Sequence, residues 1–324
     1  MHSMNRKEYK KKIIVTGGFG FIGSNFLNKF VLKYPEYLFI NVDCMTYAAN
    51  KKNVTVSRKP NYAFEKTDIR DLKSLEKVFK KYKPTDTIHF AAESHVDISI
   101  ENPAIFVETN IIGTHNLLML AKKYSLNRHY QVSTDEVYGS LKKNDKPFTT
   151  SSPLAPNSPY SASKAAADML VRVYFKTFGM NTVISRCSNN YGPNQDKTKL
   201  IPRFISLLLS NKKVPLYAKG ENIRDWIYVE DHIDAIDKIF HKGKPGGIYN
   251  IGGNCELSNM EITKKLIAIT NKDESYIEYV SDRPGHDFRY AIDNSEIYKK
   301  LGWKPRYSFK EGLVKTFENM TKGK

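Results

Sequence analysis

The chain has 324 residues, with 51 Lys and Arg against 34 Asp and Glu, and so a formal net charge of +17. A chain of this length buries a core without staples, and three scattered cysteines, Cys44, Cys187 and Cys255, exclude a disulfide scaffold and a zinc module. The lysines are dispersed and not interleaved with aromatics, which argues against a nucleic-acid partner despite the charge.

Free thiols fit a reducing, cytoplasmic setting. The basic stretch before Ile13 does not read as a signal peptide, no apolar run reads as a membrane span, and no spacing suits a metal.

In chain order, Lys12 to Thr16 reads as a buried strand, and a helix is expected from about Phe21 to Lys33. Strands follow at Phe39 to Asp43 and Tyr62 to Lys66, then a helix from Asp71 to Lys80 and a strand at Thr87 to Phe90. A long helix is expected over Pro103 to Tyr124, with proline in its first turn. A strand at His129 to Ser133, a helix over Ser158 to Phe178 and a strand at Thr182 to Arg186 complete the first half. Short all-apolar strands alternating with helices predict an α/β fold, a doubly wound parallel sheet of Rossmann type. The second half is broken by prolines and reads as a smaller mixed domain, although Ile248 to Ile251 has the look of a strand returning to the main sheet. The expected division is 1–187 plus about 226–255 for a dinucleotide-binding domain, and about 188–225 and 256–324 for a substrate domain.

Thr16-Gly-Gly-Phe-Gly-Phe-Ile-Gly23 joins the first strand to the first helix. Glycines there permit a tight turn and close approach of a pyrophosphate, and the helix N-terminus offers unpaired N–H groups. Asp43 ends the second strand about 20 residues beyond Gly23, where a carboxylate binds an adenosine ribose and repels a 2′-phosphate. NAD is the expected cofactor. Tyr160 and Lys164 stand four apart on one helix face, and a neighbouring ammonium is expected to lower the phenol pKa. Such a tyrosine can take a proton from an alcohol. Thr134 adds a hydroxyl at the carboxyl edge of the sheet. Asp135 and Glu136 follow it, and paired acids suit elimination of water, one neutral and one ionised. Adjacent strand residues face opposite sides, so both reach one substrate only if the chain turns at Asp135.

With these motifs the chain resembles, over nearly its whole length, the extended short-chain dehydrogenase/reductase family. Within it, Ser133-Thr-Asp-Glu-Val-Tyr-Gly139 is similar to the signature of the nucleotide-diphosphate-glucose 4,6-dehydratases. Asp43 to Asn50, Ala91 to Asp97, Asn189 to Pro193, Lys199 to Pro202, Arg224 to His232 and Asp282 to Asp293 match that family too. The resemblance implies an NAD-dependent lyase acting on dTDP-glucose or UDP-glucose. Tyr160 would be the base at the C4 hydroxyl, held with Lys164 and Thr134, while Glu136 takes the C5 proton and Asp135 protonates the departing C6 hydroxyl. The resemblance places NAD against Gly17, Gly20, Phe21, Ile22, Gly23, Asp43, Thr46, Asp68, Ile69, Ala91, Ala92, Ser94, Thr109, Tyr160, Lys164 and Asn190. It places the nucleotide sugar against His95, Thr134, Asn189, Lys199, Leu200, Pro215, Tyr217, Arg224, Asn259, Arg283 and His286.

Two departures stand out. The stretch from Gly139 to Pro159 is shorter than in many members, and Ala218 stands where glycine is common. A homodimer through the two long helices is implied as well. The rival readings are a 4-epimerase or decarboxylase on the same scaffold, which has no need of Asp135 and Glu136, and an NAD-sensing or RNA-binding protein.

Overall fold

The computed structural model describes residues 8–282 and 286–322. Six strands come from the first half: β1 (Lys11–Thr16), β2 (Tyr37–Asp43), β3 (Tyr62–Lys66), β4 (Asp86–His89), β5 (Arg128–Thr134) and β6 (Thr182–Cys187). Three short ones follow, β7 (Asn189–Tyr191), β8 (Val214–Tyr217) and β9 (Ile223–Tyr228), then β10 (Ile248–Ile251), β11 (Glu256–Ser258) and β12 (Ile277–Val280). The main sheet runs β10-β6-β5-β4-β1-β2-β3, all parallel. Its inner strands are buried along most of their length, as expected when helices cover both faces, and only the edge strand β3 is half-exposed throughout. The strand order reverses between β1 and β4, and a cleft opens there at the carboxyl edge of the sheet.

The helices Phe21–Lys33 and Pro159–Phe178 form where the apolar pattern places them. Ser158 caps the latter, its side chain accepting from Ser161 N while Ser161 reaches back to Ser158 N. The helix Pro103–Lys123 contains a π-helical turn at Val107–Ile112. Its 21 residues, at a mean hydropathy of 1.2, are long and apolar enough to cross a membrane, contrary to the reading that no apolar run qualifies. Half of that stretch is buried within the fold, with Leu117, Leu118 and Ala121 fully enclosed, so its apolarity is that of a core helix.

The second half is more regular than its prolines suggest. β10 pairs with β6 and completes the main sheet, as its apolar run implies. The helix Val229–Lys242 precedes it, with Glu230 and Asp231 in the first turn and His241 and Lys242 in the last, each matching the helix dipole. Strand β9 pairs antiparallel with β11 and parallel with β7, and β12 runs parallel to β8. Around them Tyr191, Ile205, Leu208, Trp226, Ile262, Leu266 and Leu313 form a second core.

Among the described residues, three histidines lie fully buried. His89 bridges Thr16 Oγ1 at 2.7 Å and Thr114 Oγ1 at 3.1 Å, and His129 meets Thr87 Oγ1 at 2.8 Å. Burial holds His129 down to about 4 and His232 to about 3, and lowers His89 well below its ordinary range. The folded chain therefore refuses protons that the unfolded chain accepts. Stability present above the unfolded histidine pKa is lost as pH falls through the window from 6.5 toward 4. His129 alone is expected to withdraw about 3 kcal/mol across that window. Urea midpoints at successive pH values check this, and a His129→Gln variant should lose less than the parent.

Candidate active site

The glycine turn is shaped by close contact. Gly17 has φ of +69°, and a Cβ there would stand 2.7 Å from Ala91 N. A Cβ on Gly23 would stand 2.4 Å from Gly17 O, so the helix packs directly on the turn. Asp43 accepts from Phe19 N at 3.0 Å and Met45 N at 2.8 Å. Its carboxylate thus orders the turn while lining the cleft, and burial raises its pKa against those two N–H groups.

The cleft encloses about 330 Å³. Every residue expected to hold the dinucleotide lines it, from Gly17 at the turn to Asn190 beyond β6. Thr109 reaches it from the π-helical turn, a distortion frequent at functional sites. In the same turn Asn110 pins the loop after β4, pairing with both Glu93 N and Glu93 O. Sequence reasoning missed Arg70, which also lines the cleft. Its guanidinium forks onto Asp68 and reaches Glu108.

At the end of β5 the chain turns at Asp135, as the chemistry requires. Asp135–Tyr138 forms a 3₁₀ turn, and Thr134 caps it by accepting from Glu136 N at 3.3 Å. Thr134, Asp135 and Glu136 all line the cleft with Tyr160 and Lys164. Asp135 is 2 % exposed. Burial pushes its carboxyl well above the usual range, helped by the charges of Glu136 and Asp225 and opposed by Arg224. Burial therefore favours its neutral form, the one a proton donor needs. Glu136 is only half-buried, and the two environments differ as an acid and a base require.

Tyr160 departs from expectation. Its phenol is raised well above the ordinary value, first by burial and then by Glu136 and Cys187, with the Thr134 hydroxyl opposing through a hydrogen bond. Lys164 does not offset this, because its Nζ donates to Val132 O at 2.8 Å. Burial lowers Lys164, and Asp168 one turn further along the helix raises it. Asp168 is itself paired with Arg186, Oδ2 to Nε at 2.9 Å, both nearly inaccessible. The i, i+4 spacing from Lys164 to Asp168 was there to be read in the sequence. Cys187 also lines the cleft, its thiol donating to Ser133 O and pushed up to about 12 by burial.

The residues expected to bind the nucleotide sugar divide. Asn189 and Lys199 line the cleft, and Lys199 Nζ reaches across its mouth to Ser94 O at 3.1 Å. His95 begins the short helix Val96–Glu101, and Leu200 begins the helix Leu200–Leu209. Pro215 and Tyr217 lie on β8, and the Tyr217 ring meets His286 edge-on at 6.1 Å. Asn259 opens the helix Asn259–Ile269, where Met260 N donates to Gly220 O in the turn after Tyr217. Arg224 is held before any ligand arrives, donating to Ile223 O and Asp287 O with its guanidinium 4.4 Å from the Tyr290 ring centroid. Arg283 lies outside the described residues. Ala218 has φ of +46°, a left-handed conformation that explains the usual glycine. The segment 139–159 is tied down by Leu141 N to Arg289 O and Phe148 N to Ala291 O, and Arg289 donates to Asp145 O.

The fold, the glycine turn and the Thr-Asp-Glu, Tyr-x-x-x-Lys arrangement define a nucleotide-sugar dehydratase scaffold, and the chain belongs to the GDP-mannose 4,6 dehydratase family, whose model matches residues 14–316. It is 44% identical over 325 residues to the dTDP-glucose 4,6-dehydratase of Haemophilus influenzae, covering 94% of this chain and 96% of that one. The dTDP-glucose 4,6-dehydratase of Streptomyces venezuelae, solved with NAD bound, superposes with a TM-score of 0.93 at 42% identity, over 96% of this chain and 97% of that one. The Bacillus anthracis enzyme in complex with NAD gives 0.90 at 46% identity over 97% of each chain.

Proposed function

We infer that this chain is an NAD-dependent dTDP-glucose 4,6-dehydratase. The observation that carries the reading is the turn at Asp135, which brings a buried carboxyl, pushed toward its neutral form, and the half-buried Glu136 into one cleft with Tyr160 and Lys164. A 4-epimerase needs no such pair. A binding protein needs none of the four.

The residues fit the cofactor: the Gly17–Gly20 turn leaves room for a pyrophosphate, and Asp43 suits a ribose diol. Arg70 is engaged by Asp68 and Glu108, which favours NAD over its 2′-phosphorylated form. Held by these residues, NAD would supply the hydride acceptor for oxidation at C4 and the hydride donor for reduction at C6. The chain's residues move the protons. Tyr160 takes the C4 hydroxyl proton, with Lys164 beside it and Thr134 hydrogen-bonded to the same oxygen. The C4 carbonyl acidifies C5, Glu136 removes the C5 proton, and Asp135 protonates the departing C6 hydroxyl. Lys199 and Arg224 supply cations for the diphosphate. The pair Tyr217 and His286 supplies a ring surface for the base.

The relatives favour thymine. Uracil lacks one methyl, worth about 1–3 kcal/mol in an apolar pocket, so UDP-glucose is expected as a slower substrate. Incubation with each sugar nucleotide, followed by mass spectrometry for loss of water, tests both points. Turnover of neither substrate, even with NAD added, would refute the assignment.

A homodimer through the two long helices accounts for a line of exposed apolar side chains: Val107 and Ile112 on one, Met169, Val173 and Phe178 on the other. Sedimentation at micromolar concentration should give twice the chain mass, and a monomer there would count against it. The free thiols at Cys44, Cys187 and Cys255 suit a cytoplasmic enzyme.

A further inference from the structure

We propose that His89 is a positioning residue for the reaction. It fastens the glycine turn that receives the cofactor to the helix that carries Tyr160, and so sets the alignment in which C4 gives up its hydride and its hydroxyl proton. The proposal rests on the C4 oxidation inferred above. Hydride and proton leave toward groups on two separate elements, the cofactor on the Gly17–Gly23 turn and Tyr160 on the helix Pro159–Phe178. A misplacement of about 1 Å between such groups costs about 10²-fold in rate. Whatever holds the two elements in register therefore bears directly on the rate.

His89 ends β4 and lies in register beside Thr16, which ends β1 immediately before Gly17. The direction of each hydrogen bond follows from the next one along. Thr114 Oγ1 donates its single proton to Asn110 O at 2.6 Å, so toward His89 Nε2, 3.1 Å away, it accepts. His89 therefore carries its proton on Nε2. A neutral imidazole has one N–H, so Nδ1 accepts from Thr16 Oγ1 at 2.7 Å. Burial, with the charge of Lys164, favours that neutral ring. Thr16 Oγ1 in turn accepts from Ala91 N at 3.2 Å, the atom that closes against Gly17. Beyond Thr114 the path continues through the π-helical turn. Asn110 Nδ2 donates to Ser163 Oγ at 2.9 Å, and Ser163 Oγ donates to Tyr160 O at 2.7 Å. None of Thr16, His89, Asn110, Thr114 and Ser163 is more than 3 % exposed, so water does not compete for these bonds. His129 is as deeply buried and meets Thr87, yet that pair joins β4 to β5 within the sheet. The link to the catalytic helix belongs to His89.

His89→Asn keeps an acceptor for Thr16 and leaves Thr114 without its donor. Ser163→Ala cuts the path at the helix and spares the sheet, so it carries the test should His89→Asn fail to fold. Thr87→Val is the control, since it removes an equally buried threonine–histidine bond from the same strand. Each is made in NAD-loaded Glu136→Gln protein, where stopped-flow absorbance of reduced nicotinamide after adding dTDP-glucose follows C4 oxidation alone. The final absorbance counts competent sites, and the rate reports their alignment. His89→Asn should slow the rise by about ten- to a hundredfold, with the final absorbance per folded chain and the half-saturating substrate concentration unchanged. Ser163→Ala should slow it by a smaller factor, and Thr87→Val should leave it as it was. If His89→Asn lowers the final absorbance and not the rate, the histidine serves folding alone and the proposal is refuted. Equal slowing by Thr87→Val, or an unchanged rate in Ser163→Ala, would refute it too. No reduced nicotinamide in Glu136→Gln itself would remove the C4 oxidation on which the proposal rests, a failure told apart by its appearing before His89 is touched. Independently of turnover, nitrogen NMR of histidine-labelled protein should find His89 protonated on Nε2, its signal identified by its loss in His89→Asn. Protonation on Nδ1, or on both nitrogens, would break the path and overturn the proposal.

Discussion

Glu136→Gln is expected to oxidise its substrate at C4 and then stop. The amide keeps the size of the side chain in the cleft and loses its basicity, so the C5 proton has no acceptor. Loss of a positioned general base costs about 10²–10⁴ in rate. On adding dTDP-glucose, absorbance of reduced nicotinamide should build up, while mass spectrometry finds almost no dehydrated product. In the parent the same absorbance should stay low, because oxidation and reduction follow each other within one turnover. Charge strengthens the effect. Glu136 raises both Asp135 and Tyr160, so its removal lets each ionise more readily. Oxidation in the variant should therefore persist to lower pH than in the parent. Unimpaired product formation would place the C5 base elsewhere.

Arg186→Met is the second large effect, and it falls on stability. Asp168 is 1 % and Arg186 4 % exposed, and the guanidinium also donates to the Tyr138 hydroxyl at 2.9 Å. Tyr138 passes the chain on to Asn250 on β10, so one network joins the catalytic helix to β6 and the edge of the sheet. Removing the arginine leaves a buried carboxylate supported by the more distant charge of Lys164 and by the Ser133 hydroxyl. Breaking such a pair from one side costs about 3–5 kcal/mol, whereas replacing both partners with apolar residues is often close to neutral. The Asp168→Leu, Arg186→Met double variant should regain most of the lost stability in urea unfolding. It should not regain activity, because Lys164 would then lack the carboxylate that supports its charge. Equal destabilisation by the single and double variants would show that packing, not charge, holds this region.

What the sequence made legible was local. The glycine turn, the all-apolar strands and the capped helix from Ser158 declare themselves within a few residues, and the dinucleotide contacts follow because they cluster at the carboxyl edge. The second half depends on distant partners. β7 and β11 have three residues each, and β8 contains Pro215, so none carries a pattern apart from the strands it pairs with. The helix Val229–Lys242 is a different case. Ile233, Ile236, Ile239 and Phe240 share one face, and acidic and basic ends mark it, but it follows β9 without a break. The turn at Asp135 had one sequence signal, a threonine directly before two acids, which is a helix-cap arrangement. The state of Tyr160 had none. It is set by burial and by Glu136, which spacing along a helix does not reveal.

The last strand to join the main sheet has a bearing on how the chain is made. β6 leaves the ribosome with one edge bare, and the strand that covers it, β10, is still to be synthesised. Roughly 60 residues separate the two, about 3–12 s of translation at usual rates. During that interval the open edge of a strand that is buried throughout in the folded chain stands exposed to any passing strand. Nascent chains arrested shortly after Cys187 should be held by chaperones or aggregate, whereas chains extended past Ile251 should be released with the sheet closed.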